Sequence, residues 1–304
     1  MAPSFLSITS LYSSYLRRCF TGAGLSPQTI EIDDETSIHF WAPKPNHNPT
    51  HQKPCLVLIH GFGPMAIWQW RRQVQFLAPH FNLYVPDLIF FGGSTTKSSE
   101  RSETFQAVSI GKLLEKLGVN KFHVMGTSYG GFVAYRLATT LEEKVEKVVI
   151  ASSGINMKKI NNEELLKRAK VEKIEELMLP ETASQLRTLM GLSVFKRVKV
   201  IPDFFLNDFV NKLYLEHREE KLELLKGLTL GKDDTTTISP LTQEVLIVWG
   251  EHDQIFPLKM ATGLKELIGK NVRLEVVKDT SHVPQIENPE EFNKIVLNFL
   301  RGSS

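Results

Sequence analysis

Apolar and polar positions along this chain alternate between two periods. Cys55-Leu56-Val57-Leu58-Ile59 is an unbroken apolar run, the pattern of a strand buried on both faces. Leu83–Asp87, Lys121–Met125, Val145–Ile150, Glu244–Gly250 and Val272–Val277 read the same way. Between them, apolar residues at helical spacing predict helices over Trp68–Leu77, Phe105–Leu117, Phe132–Ala138, Leu258–Ile268 and Phe292–Leu300. Upstream, Thr29–Asp33 and Ser37–Trp41, joined across Asp34-Glu35-Thr36, predict an antiparallel hairpin. Pro43–Pro54, rich in Pro, Asn and His, reads as a surface loop.

This rhythm predicts an α/β fold, with a mostly parallel twisted sheet and helices on both faces. It stops at about residue 156. From there to about 237 no buried strand is evident; helical segments including Glu163–Met178 and Phe205–Leu225 carry heavy Lys/Glu content. The predicted organisation is therefore an N-terminal amphipathic segment (1–24), a core (25–155 and 238–304) and an inserted helical cap (156–237).

In the N-terminal segment Phe5, Leu6, Ile8, Leu11, Tyr12, Tyr15 and Leu16 recur near helical spacing, followed by Arg17 and Arg18. The segment is too polar for a secretory apolar block. Two readings stand open. One is a helix packed on the domain surface; the other is peripheral contact with a membrane surface, or with a lid, through residues 5–18.

Composition narrows the function. With 304 residues, 42% hydrophobic and 23% charged, the chain can bury a large core. A net charge of +2 without a basic stripe argues against a nucleic-acid partner. Cys19 and Cys55 make no disulfide framework, and no Cys/His cluster has zinc spacing. Free thiols suit a reducing compartment such as the cytoplasm. No metal and no cofactor is expected, and Arg301–Ser304 matches no address signal.

The chemistry is concentrated at Gly126-Thr127-Ser128-Tyr129-Gly130-Gly131, a Gly-x-Ser-x-Gly pattern between a predicted strand and a predicted helix. A sharp turn there would hold Ser128 strained and exposed, with Gly126 and Gly130 required by close helix–strand approach. A serine hydroxyl needs a base, and the base needs an orienting acid, in the chain order Ser, Asp/Glu, His. Two later strands run into Glu251-His252-Asp253 and into Asp279-Thr280-Ser281-His282. Both deliver those residues to the edge of the sheet that carries Ser128, where ligand sites gather. His282 is the candidate base and Asp253 its acid; Glu251, His252 and His123 are the competitors. Two backbone donors should hold the oxyanion, each worth about 3 kcal/mol. They are the amides of Tyr129 and Phe62, the latter in a loop shaped by His60, Gly61 and Gly63.

Taken in order, His60-Gly61-Phe62-Gly63, the Ser128 turn, the Asp253 loop and the His282 loop resemble the α/β-hydrolase superfamily over about residues 29–300. The resemblance implies an α/β-hydrolase fold whose inserted cap roofs the serine, with a small-molecule substrate. Ser128 disfavours the epoxide-hydrolase and dehalogenase branches, which use Asp. Gly61–Pro64 and the Trp68–Arg71 region are similar to meta-cleavage-product C–C hydrolases and to monoacylglycerol lipases. The C–C branch usually has Asn and Trp where Thr127 and Val283 stand. A cofactor-independent carboxylic ester hydrolase is the implied activity. C–C hydrolysis and a slow-turnover ligand receptor of the same fold are the alternatives. Leu177, Met178, Leu189, Met190, Leu192, Phe195, Phe204, Phe205 and Phe209 are expected to serve mostly as cap core rather than pocket wall.

Overall fold

A computed structural model describes residues 7–44, 53–196, 201–231 and 238–302. Phe5, Leu6, residues 45–52 of the Pro43–Pro54 loop, residues 232–237 at the end of the insert, Ser303 and Ser304 lie outside the described residues. In chain order, the first part runs α1 (Ile8–Gly22), β1 (Leu25–Glu31), β2 (Thr36–Pro43), β3 (Cys55–Ile59), α2 (Ala66–Leu77), β4 (Asn82–Pro86) and β5 (Thr95–Thr96). It continues through α3 (Glu103–Lys116), β6 (Phe122–Thr127), α4 (Tyr129–Thr140) and β7 (Val145–Ala151). The insert carries α5 (Lys159–Ala169), α6 (Ile174–Met178), α7 (Ala183–Ser193), α8 (Asp203–Leu213) and α9 (Arg218–Gly227). The chain closes with β8 (Glu244–Gly250), α10 (Lys259–Ile268), β9 (Val272–Val277), α11 (Pro284–Glu287) and α12 (Pro289–Arg301).

The sheet order is β1-β2-β4-β3-β6-β7-β8-β9, with the short β5 on β2. β1 and β2 form the expected hairpin, and β2 meets β4 antiparallel. All strands from β4 to β9 in this order pair in parallel. The two faces of β3 show why its sequence is apolar throughout. Leu56 and Leu58 pack with α1, α2 and α12, whereas Val57 and Ile59 pack with α3, α4 and α10. With three parallel strands ending on one edge, Ser128, Asp253 and His282 are carried to the same rim.

The insert departs from the sequence reading in three places. Glu163–Met178 is two helices, broken where Lys170 turns left-handed (φ 56°), and Phe205–Leu225 is broken at His217 (φ 51°). Neither break carries a glycine or proline. The bends let Leu165, Ala169, Leu177 and Leu192 converge on Ile255 of the core, so packing overrides local helix propensity. The third difference is α7, which was not among the segments singled out. Its signal was present: Thr182 caps the helix by accepting the Gln185 N–H at 3.3 Å, in a Thr-x-x-Gln pattern.

α1 joins the core to the insert. Leu16 and Phe20 are buried, while Asp208 of α8 accepts hydrogen bonds from the Ser7 hydroxyl and the Thr9 amide, each at 2.9 Å. The helix therefore packs on the domain surface and touches the insert as well.

Candidate active site

The turn from β6 into α4 leaves no room for side chains at its glycines. A Cβ on Gly126 would lie 2.1 Å from the Gly130 carbonyl oxygen, and one on Gly130 2.2 Å from that of Ile59. These contacts drive Ser128 to φ 52°, ψ −120°, a strained conformation for a residue with a side chain. The turn is pinned on both sides: the Ser128 amide donates to Ala151 O at 2.9 Å, and the Ser153 hydroxyl donates to Ser128 O at 2.7 Å.

The Ser128 hydroxyl lies 2.9 Å from His282 Nε2, and His282 Nδ1 lies 2.9 Å from Asp253 Oδ2. The second carboxylate oxygen of Asp253 accepts the amides of Ile255 and Phe256, both at 2.9 Å. Both Asp253 oxygens are thus committed, which orients the carboxylate toward Nδ1–H and leaves the Nε2 lone pair for the serine proton. The histidine loop is held from two directions. The Ser281 amide donates to Glu287, and the Ser281 hydroxyl donates to Leu192 O of the insert at 2.8 Å.

The competitors are elsewhere. Glu251 is exposed and accepts the Asp279 amide at 3.3 Å. His252 is stacked on Phe195 with ring centres 4.2 Å apart. His123 is buried beside Phe81, and burial holds its pKa below the ordinary histidine value. Glu251, His252 and Asp279 form the one grouping of metal-ligand type among the described residues, out on the surface.

The loop after β3 is clamped by side chains. His60 Nε2 accepts the Leu88 amide at 2.9 Å, so Nδ1 carries the proton and donates to Gly61 O at 2.8 Å. Complete burial pushes the pKa of His60 down, which keeps it in this neutral form. Gln69 grips the same loop: its Oε1 accepts the Gly61 amide at 2.8 Å, and its Nε2 donates to Gly61 O and Pro64 O. Because Gly61 N–H is already used, Phe62 supplies the first free amide of the loop. Among the described residues neither the Phe62 nor the Tyr129 N–H has a protein acceptor. Gly63 adopts φ +139°, and a Cβ on Gly61 would sit 3.0 Å from Ser128 Cβ. Gln69 was not among the sequence candidates; its only signal is a glutamine lying between Trp68 and Trp70.

Ser128 opens on a cavity of about 580 Å³. No Asp, Glu, Lys or Arg lines it among the described residues. The core supplies Trp68, Val283 and Ile286, and α1 supplies Ile8 and Tyr12. Of the nine apolar insert residues expected mostly as cap core, five line this cavity: Met178, Leu189, Met190, Phe205 and Phe209. Leu177 and Leu192 are core, and Phe204 and Phe195 are exposed. Leu189, Met190 and Phe209 also pack against the insert cluster around Leu186 and Val210, and Met178 and Leu189 against the one around Leu177, so these residues serve as cap core and as cavity wall together. Ser128 also borders a second space of about 70 Å³, whose lining includes Phe132, Phe256, Asn161 and Asn162.

Comparison with known proteins agrees with this architecture. Monoacylglycerol lipase ABHD6 of Homo sapiens is 27% identical, over 97% of this chain and 87% of the relative. The 2-hydroxy-6-oxononadienedioate/2-hydroxy-6-oxononatrienedioate hydrolase 1 of Pseudomonas putida is also 27% identical, over 82% of this chain and 88% of the relative. Among solved structures, a membrane phospholipase A described as a bacterial virulence factor superposes with a TM-score of 0.80 at 20% identity, covering 98% of this chain and 93% of the other. A family model for the alpha/beta hydrolase fold matches residues 54–289, which spans the sheet from β3 onward, the Ser128 turn, the insert and the His282 loop. This chain therefore belongs to the alpha/beta hydrolase family.

Proposed function

We propose that this hydrolase cleaves a carboxylic ester with a large apolar part, through an acyl-enzyme on Ser128. His282 takes the hydroxyl proton as Ser128 attacks the acyl carbon, and Asp253 stabilises the imidazolium. The amides of Phe62 and Tyr129 hold the tetrahedral oxyanion. His282 then protonates the leaving alcohol and activates the water that releases the acid. No step calls for a metal or cofactor.

The observation that carries this reading is the uncharged wall of the cavity beside Ser128. The Pseudomonas relative is named for a dicarboxylate substrate. A dianion taken out of water needs cationic partners, and the described wall offers none. Thr127 and Val283, at the two positions that separate the C–C branch, point the same way. The larger cavity suits the apolar chain, and the smaller space a short group with a polar end. In this reading residues 156–237 act as the cap that sizes the site.

Peripheral membrane contact through residues 5–18 belongs to the same proposal. Ile8, Leu11, Tyr12 and Tyr15 are exposed along α1, and Ile8 and Tyr12 also line the cavity. Neither α1 nor α2 contains an acid, while Arg17, Arg18, Arg71 and Arg72 lie on them, which favours an anionic lipid surface. No described helix is long and apolar enough to cross a membrane.

The test is hydrolysis of a p-nitrophenyl ester series, acetate through dodecanoate plus benzoate, by wild type and Ser128→Ala. Turnover that depends on Ser128 and peaks at long chains supports the ester reading. Silence of wild type across the series, with turnover of a vinylogous diketone, would replace it with C–C hydrolysis. Ligand-dependent capture of a partner without turnover would replace it with a receptor.

A further inference from the structure

Lys221 of α9 is buried to 3% exposure, although its charged end has little to bond with. Its ammonium donates to Leu213 O across a long 3.5 Å and sits 5.1 Å above the centre of the Phe91 ring. Phe91, itself buried, belongs to the core loop after β4. Its ring packs edge-to-face on His60 at 5.1 Å and on Phe62 at 5.3 Å. The Phe62 ring continues onto Tyr129 at 5.7 Å. One column of rings thus joins a cation of the insert to the two residues whose amides are assigned to the oxyanion.

We propose that Lys221 is a positioning residue for the oxyanion site: its ammonium, seated on Phe91, steadies the Phe91–Phe62–Tyr129 column and the backbone that carries the two donors. The proposal rests on the Ser128 reading above and adds a role for the insert beyond shaping the cavity. A cation held over an aromatic face is attracted to the ring's negative face, most strongly where water is excluded. The same charge acts on His60. That imidazole must stay neutral to accept the Leu88 amide. Burial is the main cause of its low pKa, and the nearby Lys221 charge pushes the same way against Asp87.

The cost of this arrangement points away from simple packing. Burial brings the Lys221 pKa down to about 8, with Glu216 and Glu220 acting in the opposite direction. The groups facing the ammonium are thus Glu216 and Glu220 from the insert, with His217 beside Glu220, and His60 backed by Asp87 from the core. Because the folded pKa lies below the ordinary lysine value, the charged form burdens the fold below about pH 8 and the burden disappears as pH rises from there to the ordinary value of 10.5. A methionine would fill the space without that burden.

The experiment compares Lys221→Met and Lys221→Arg with wild type for kcat, KM, melting temperature and the pH profile. p-Nitrophenyl butyrate and a neutral p-nitrophenyl phosphonate that labels Ser128 serve as probes. Lys221→Met is expected to lower kcat about tenfold, as a small misplacement of the donors would. Its KM should stay within twofold and its melting temperature should hold or rise. Wild-type kcat is expected to decline above about pH 8 as Lys221 loses its charge, and that decline should vanish in Lys221→Met. Lys221→Arg, charged throughout, should recover most of kcat at pH 7 and carry it further into alkali. Unchanged kcat and an unchanged alkaline limb in Lys221→Met overturn the proposal. So does a parallel loss of kcat and melting temperature that arginine does not repair. If wild type labels at Ser128 but turns over no ester, the ester reading fails by itself. Labelling rates then decide Lys221, with a tenfold slowing in Lys221→Met supporting its role and equal rates removing it.

Discussion

The floor and the roof of the cavity are built by different means. In the floor, backbone meets backbone: Gly126 and Gly130 bring α4 against β6 and β3, and each polar group of the Ser128–His282–Asp253 set has a fixed partner. The roof is held by side chains, through a small apolar cluster around Leu179, Leu186 and Val210 and through surface ion pairs such as Arg218–Glu181. Exposed pairs of that kind are worth about 0–1 kcal/mol. A fixed floor preserves one chemistry, whereas a roof made of interchangeable apolar side chains can change what reaches it. In the proposed reading the floor carries the chemistry and the roof carries substrate choice.

That contrast can be broken at several strengths. The largest effect is expected from Ser128→Ala, about 10⁵-fold in kcat with substrate affinity retained, read by steady-state kinetics and isothermal titration with an ester analogue. A mutant that keeps more than a hundredth of the activity would remove Ser128 from its role. Next is a pair of glycines. Gly130→Ala places a methyl 2.2 Å from Ile59 O and should cost about 3 kcal/mol, whereas Gly191→Ala in α7 meets nothing within 4 Å and should gain about 0.5–1 kcal/mol. Denaturant melts of both variants compare floor and roof directly; equal costs would abolish the distinction.

Met190→Trp, filling part of the roof, should lower kcat/KM for the dodecanoyl ester about tenfold while leaving the acetyl ester within twofold. A uniform loss would mean that the roof acts on chemistry rather than on size. The smallest effect is at the junction with α1. Asp208→Asn should cost about 1 kcal/mol by weakening its bonds to Ser7 and Thr9. Burial alone would raise the Asp208 carboxyl, but those bonds and the charge of Lys212 outweigh it and hold its pKa below 3.8. The contribution is therefore present above about pH 4 and lost as pH falls through the lowered value. Hydrogen exchange along α1 should show release in acid for wild type and no further acid release for the asparagine variant.

The floor was legible in the sequence because its constraints are local. Two glycines flanking a serine, an apolar strand before it, and strands that run into loops carrying Asp253 and His282 follow from spacing alone, and the geometry places these residues at bonding distance. Even the role of His60 as a brace rather than a base could be read there. What the sequence left open was decided by packing between distant segments. Lys170 and His217 break helices without any local signal, Gln69 acts on a loop eight residues back, and Met178, Leu189 and Met190 line the cavity beside Ser128 while also packing within the insert. Lys221 shows the same limit. In the sequence it is one of two lysines on a charged helix, and only the fold takes it out of water and seats it on Phe91. Periodicity reports which face of an element is apolar; which neighbour that face meets depends on contacts that no short stretch of chain contains.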